Sequence, residues 1–187
     1  MSKSYCGLFS GTMGALNTQQ ALTLAVYNEI VSTIANNAKG HDLRQHRLPY
    51  KIPSAKRLKN LRQKRDNRTI TKQEFRELRW AERFKERRDK GVSNFWDAEK
   101  AKLLRGEKGT RNWTKEQRND IINDRRPKFN GRVIQGHHSY SASKYPQLAN
   151  LGGLIYPATF REHLYGWHGG TYRKSLPGMP IKIIIEF

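Results

Sequence analysis

Apolar residues return at helical spacing from Asn17 to Asn37, where Ala21, Leu22, Leu24, Ala25, Val26, Ile30, Val31 and Ile34 supply one amphipathic helix, with Gly40 as its stop. A second periodic stretch begins at Thr71, three residues before Glu74, a capping-box signature. It carries Phe75, Leu78, Trp80 and Phe84 as a partial apolar stripe and is expected to stop at Gly91. A short helix over Asn94–Arg105 is expected next. Another capped start, Thr114–Gln117, leads a helix that must end before Pro127.

Beyond Pro127 the pattern changes. KFNGRVI (128–134) sets an Asn-Gly pair between short apolar runs, which predicts a hairpin turn. SASKYPQLANLGGL is broken by Pro146, Gly152 and Gly153 and reads as loop. Thr159 stands three residues before Glu162, so a helix is expected from Phe160. MPIKIIIEF (179–187) predicts a final β-strand. The fold class is therefore α+β and mainly helical, with a ββα arrangement near the C-terminus preceded by basic helices.

Charge sharpens this picture. Lys and Arg number 36 against 16 acids, a formal charge of +20, which favours polyanionic partners: nucleic acid first, an acidic protein second, an anionic membrane third. Residues 41–130 hold 28 basic and 13 acidic residues. The densest stretch, 51–68, has eight basic residues and one acid. Acids are interspersed after residue 70 but not there, which points to phosphate contact through Lys51, Lys56, Arg57, Lys59, Arg62, Lys64 and Arg65.

No apolar run is long enough for a membrane span, and the N-terminus lacks the compact apolar region of a secretory signal. Cys6 is the only cysteine, which excludes a disulfide framework and a cysteine zinc site, and reads as an inert thiol. Any metal must be held by histidine and oxygen. Four of the six histidines fall in QGHHSY (135–140) and EHLYGWHGG (162–170). His41 and His46, in the basic segment, read as surface residues.

Three imidazoles with an open fourth position make a catalytic rather than a structural site. A fourth histidine beside the ion could deprotonate an attacking water, and a phosphodiester fits both that chemistry and the charge of the chain. His163 and His168 are five positions apart, about 140° past a full α-helical turn, so the helix must end or widen near Gly166 for both to face one ion. His137 and His138 are strand neighbours and can share a site only if the strand bulges or ends there, which Gly136 would permit.

RPKFNGRVIQGHHSYS and KYPQLANLGGLIYPATFREHLYGWHGG together resemble the GHH-signature branch of the HNH, or ββα-metal, endonucleases, found as toxin domains of bacterial polymorphic toxins. The likeness spans about Trp113–Gly178. It implies a metal-dependent, largely nonspecific DNA endonuclease, with one divalent ion (Zn, Mg, Mn or Ni) on His137, His163 and His168 and with His138 as general base. The position of the family's middle Asn is Leu154 here, so Asn150 is the nearest loop-stapling candidate. Gln135 stands where an acid is common and would orient a histidine without adding charge. Among the flanking cations Arg161, Arg173 and Lys174, Arg173 is the first candidate to stabilise the transition state.

On this resemblance the chain divides into an N-terminal helical segment (1–48), a basic helical region (49–110) and the nuclease domain (111–187). GLFSGTMGAL (7–16) resembles a leader ahead of some toxin modules. The expected setting is synthesis in a bacterial cytoplasm and delivery to a target cell's cytoplasm, with an acidic immunity protein as partner. Two alternatives stay open: an RNase using the same site, and a non-enzymatic nucleic-acid-binding protein with a structural histidine metal site, which would unfold on chelation.

Overall fold

The computed structural model describes residues 17–187; Cys6 and the leader-like 7–16 segment lie outside the described residues. Four helices come first: α1 (Thr18–Ala38), α2 (Ala55–Asp66), α3 (Lys72–Leu104) and α4 (Lys115–Ile122). Each begins where a short polar side chain accepts a backbone N–H of the first turn: Asn17, Ser54, Thr71 and Thr114. The expected boxes at Thr71–Glu74 and Thr114–Gln117 are both reciprocal, and Asn17–Gln20 forms a third.

Two expectations about the helices are corrected. Gly91 does not stop a helix, and 94–105 is not a separate one: α3 runs unbroken through both. The reason is tertiary. A Cβ on Gly91 would collide with the Ala149 carbonyl oxygen, so glycine lets the middle of α3 lie against the 149–150 backbone. The charge of 51–68 is met in part by the next helix. Arg57 pairs with Glu77 and Glu74, Lys64 with Glu74, and Arg62 and Arg65 with Glu82.

The β structure is slight and sits where it matters. β1 (Lys128–Phe129) and β2 (Arg132–Val133) form the predicted hairpin, with Asn130 and Gly131 at φ 48° and 76°, the two positive angles that a type I′ turn needs. β3 (Gln135–His138) pairs antiparallel with β4 (Ile155–Ala158), His137 opposite Tyr156 and His138 opposite Ile155. The intervening loop holds two 3₁₀ turns, Pro146–Leu148 and Gly152–Leu154. After β4 the chain makes one α-helical step at Phe160–Arg161 and widens into a π-helix over Glu162–Trp167.

The expected strand at 179–187 does not form: the segment joins neither β ladder and is held by separate contacts. Lys182 donates its N–H to Gly166, and the Phe187 ring stacks on Phe129. High β propensity without ladder pairing leaves a tail, not a strand.

Core packing ties α1 and α3 to the ββ element. Ile34 and Ala38 of α1 share one apolar cluster with Tyr145, Leu148, Tyr156 and Trp167. Phe95, Trp96 and Leu103 of α3 share another with Trp113, Ile121, Ile134 and Ile155. The helices are therefore the floor on which the histidine-bearing segments rest.

Candidate metal centre

His137 faces inward from β3 and is 3 % exposed. Its ring lies 4.9 Å from the His163 ring and 5.0 Å from the His168 ring, centroid to centroid, and those two are 5.0 Å apart. One nitrogen from each of the three lies within 4.8 Å of the others. The step from His163 to His168 is bridged by the π-helix: the His168 N–H bonds the His163 carbonyl five residues back at 3.2 Å. That wider turn brings position i+5 over position i, where an α-helix would have rotated it away. Gly169 and Gly170, both at positive φ, then turn the chain out, and the Gly170 N–H bonds the Leu164 carbonyl.

Two of the rings have one nitrogen committed. The Nδ1 of His163 bonds the Gln135 side-chain oxygen, and the Nδ1 of His168 bonds the Lys174 carbonyl at 2.6 Å. Both partners are acceptors, so both Nδ1 atoms carry the proton and both Nε2 atoms keep a lone pair. Burial, reinforced by the neighbouring rings His163, His168 and His138, holds the His137 pKa well below the usual imidazole value. Burial, followed by His168 and His138, pushes His163 down to about 4. Three imidazoles whose ligand nitrogens lie within 4.8 Å of one another are a donor set that a borderline divalent cation takes, so the residues fit such an ion.

His138 ends β3, and the regular register of β3 with β4 shows no bulge. Gly136 serves packing instead, since a Cβ there would come within 2.8 Å of Val92. The Nε2 of His138 bonds the Ala149 carbonyl at 3.0 Å, which assigns the proton to Nε2 and leaves Nδ1 as the basic atom. Burial lowers its pKa; the Ala149 bond opposes that shift, Arg88 adds to it, and Asp89 offsets it.

His137, His138, His163 and His168 line one cavity of about 270 Å³ together with Arg88 of α3. Arg173 is exposed and does not line it. Arg161 turns to Glu186, 3.8 Å away. Asn150 leaves its side-chain oxygen buried without a hydrogen-bond partner. The loop is held instead by Asn94, which donates to the Asn150 carbonyl at 3.0 Å, and by Asn37, which donates to the Gly153 carbonyl at 2.8 Å. Arg88, Asn94 and Asn37 carry no signal in the sequence beyond their residue type. Lys51, Lys56 and Lys59 are exposed, with no ion-pair partner among the described residues.

Behind the ligands lies a buried ion pair. Arg111 reaches Glu162, the residue before His163, with Nη2 to Oε1 at 2.7 Å, and also donates to the Pro157 and Phe187 main-chain oxygens. Glu162 further accepts the N–H groups of Thr159 and Glu186. The first turn of the histidine helix is thus pinned to β4 and to the tail.

A mostly helical body, a C-terminal ββ element and a three-histidine cluster define an HNH-like metal-site region. Residues 79–159 match the family model described as GHH signature containing HNH/Endo VII superfamily nuclease toxin. The match runs from early in α3 to just past β4, under half of the chain, and makes this region similar to that nuclease-toxin family. That match begins upstream of the Trp113–Gly178 span that the sequence suggested and includes His137 and His138 but not His163 or His168. No curated protein and no solved structure matches the chain. Among the described residues, no helix is long and apolar enough to cross a membrane.

Proposed function

We propose that the chain is a metal-dependent, largely nonspecific DNA endonuclease that acts as a bacterial toxin. The observation that carries this reading is the convergence of His137, His163 and His168 within 4.8 Å, beside a fourth histidine whose free nitrogen is Nδ1. His137, His163 and His168 would hold one divalent ion. Bound there, that ion supplies Lewis-acid polarisation of a phosphoryl oxygen and stabilises charge on the leaving oxygen. Nδ1 of His138 takes the proton from the attacking water, whose oxygen bonds to phosphorus as the ester P–O bond breaks. Its lowered pKa keeps it unprotonated and competent near neutral pH. Arg88, inside the same cavity, holds the phosphate and offsets its growing charge, whereas Arg173 does not line that cavity.

Lys51, Lys56 and Lys59 supply the free charge for backbone contact, with Arg57, Arg62, Lys64 and Arg65 contributing less because each is paired to a glutamate of α3. The basic surface suits an acidic immunity protein that keeps the producing cell unharmed. The division into 1–48, 49–110 and 111–187 is kept as part of this reading, with strand contact in the second part, from which Arg88 enters the cavity, and the histidine chemistry in the third. The deciding test is nicking of supercoiled DNA with Mg, Mn, Zn or Ni ions, by wild type, His138→Ala and Arg88→Ala, with RNA digested alongside. Cleavage by wild type that is lost in His138→Ala is expected. Intact DNA with every ion, together with intact RNA, overturns the proposal; RNA cut in preference to DNA changes the substrate and keeps the site.

A further inference from the structure

The mouth of the histidine cavity carries an aromatic and an apolar side chain besides its cation, Arg88. Tyr172, 54 % exposed, stands with its ring edge-on to His163 and His168, at 5.4 Å and 5.1 Å between centroids. Ile52, 44 % exposed, comes to the same cavity from a segment far away in the chain. Ile52 and Ser143 also line an adjoining shallow hollow with Arg47, Tyr50 and Lys51. A track therefore leads from a cationic and aromatic hollow, past an apolar rim, to the cluster.

A paired duplex offers such a rim nothing flat and apolar, because its bases are stacked inside and its outer face is phosphate and sugar. An unstacked nucleobase has two apolar π faces and is held by stacking on an aromatic ring, whatever its sequence. We infer that Tyr172 and Ile52 receive one unpaired nucleobase next to the scissile phosphate, with Arg47 and Lys51 following the backbone away from the site. The substrate class is then nucleic acid with single-stranded character at the cut: single strands, bulges, gaps or frayed ends. This rests on the nuclease reading for its cleavage arm only.

The test measures binding and cutting separately. Fluorescent single-stranded and fully paired oligonucleotides of one sequence are titrated with wild type, Tyr172→Ala and Tyr172→Trp in EDTA, and cleavage of both is then followed with a divalent ion. Tyr172→Ala is expected to bind the single strand about ten-fold more weakly. Its duplex affinity should change less than two-fold, and Tyr172→Trp should match wild type on both. The single-strand to duplex cleavage ratio should fall with Tyr172→Ala by the same factor. Zn²⁺ affinity should be unchanged in that variant. Equal losses on both oligonucleotides, no loss on either, or a parallel loss of Zn²⁺ affinity overturns the inference; the last outcome makes Tyr172 a cover for the ligand rings. Selective binding with no cleavage of any substrate upholds the base-binding rim and counts against the nuclease reading alone.

Discussion

Arg111→Met tests whether the ligand helix is held by its buried ion pair. The guanidinium and the Glu162 carboxylate have side chains 2 % and 1 % exposed. Methionine fills the stem of the site but strips Glu162 of both guanidinium bonds and leaves the Pro157 and Phe187 oxygens without those donors. Glu162 keeps only the Thr159 and Glu186 N–H groups. Removing one member of a buried pair costs about 3–5 kcal/mol, chiefly because a charge stays buried without its partner. In a chain of this size each kcal/mol moves Tm by about 2–4 °C, so a fall of roughly 6–20 °C follows.

Urea unfolding followed by circular dichroism, in EDTA so that no ion contributes, reads the difference directly. Adding Glu162→Leu to Arg111→Met removes the stranded charge and should recover part of the loss, so the double variant is less damaged than the two singles added. Zn²⁺ affinity should fall in Arg111→Met, since Glu162 adjoins His163. A loss below about 1 kcal/mol, the range of an exposed ion pair, refutes the reasoning. So does strict additivity in the double variant.

Gly91→Ala should destabilise by about 1–3 kcal/mol in the same assay, although alanine is the better helix former, because its Cβ meets the Ala149 oxygen; a stabilised variant would show that the helix gives way freely. The metal-free protein should lose stability as pH falls from about 6.5 to 4. His137 and His163 have folded pKa values below the unfolded one, His163 at about 4, so the unfolded chain takes up protons first. His163→Ala should flatten that slope in urea midpoints measured across the window, and an unchanged slope counts against the assignment. Replacing Lys51, Lys56 and Lys59 together by Ala should reduce the slope of log K against log salt for duplex DNA by about 2–3. Replacing Arg57 and Lys64, already paired to glutamates, should reduce it by less than their number; equal effects per charge would show that those pairs open on binding.

What could be read from the chain divides by range of interaction. The caps at Thr71, Thr114 and Thr159 and the Asn-Gly turn are decided by contacts within a few residues, so residue type and spacing suffice. Gly91 looks like a stop by the same local rule, and fails because its meaning is set by Ala149, 58 residues away. Asn94 and Arg88 lie in a helix dense with polar residues, where nothing local separates a loop clamp or a cavity cation from a solvated side chain. The tail at 179–187 has strand-forming residues but joins neither two-stranded sheet, and that pairing is decided by the assembled fold rather than by local residue type.

The five-residue step between His163 and His168 belongs to neither group. By local helix geometry it looks like the weak point of the site. A hydrogen bond from the His168 N–H to the His163 carbonyl makes it the solution, because a π-turn needs that spacing to bring the two rings side by side. Such a turn is poorly stabilised on its own, so something must hold both its ends. Glu162 in the grip of Arg111 holds the first, and Lys182 bonded to Gly166 with His168 bonded to Lys174 holds the last. The tail is thus the outer wall against which an otherwise unfavourable helix keeps its ligands in place.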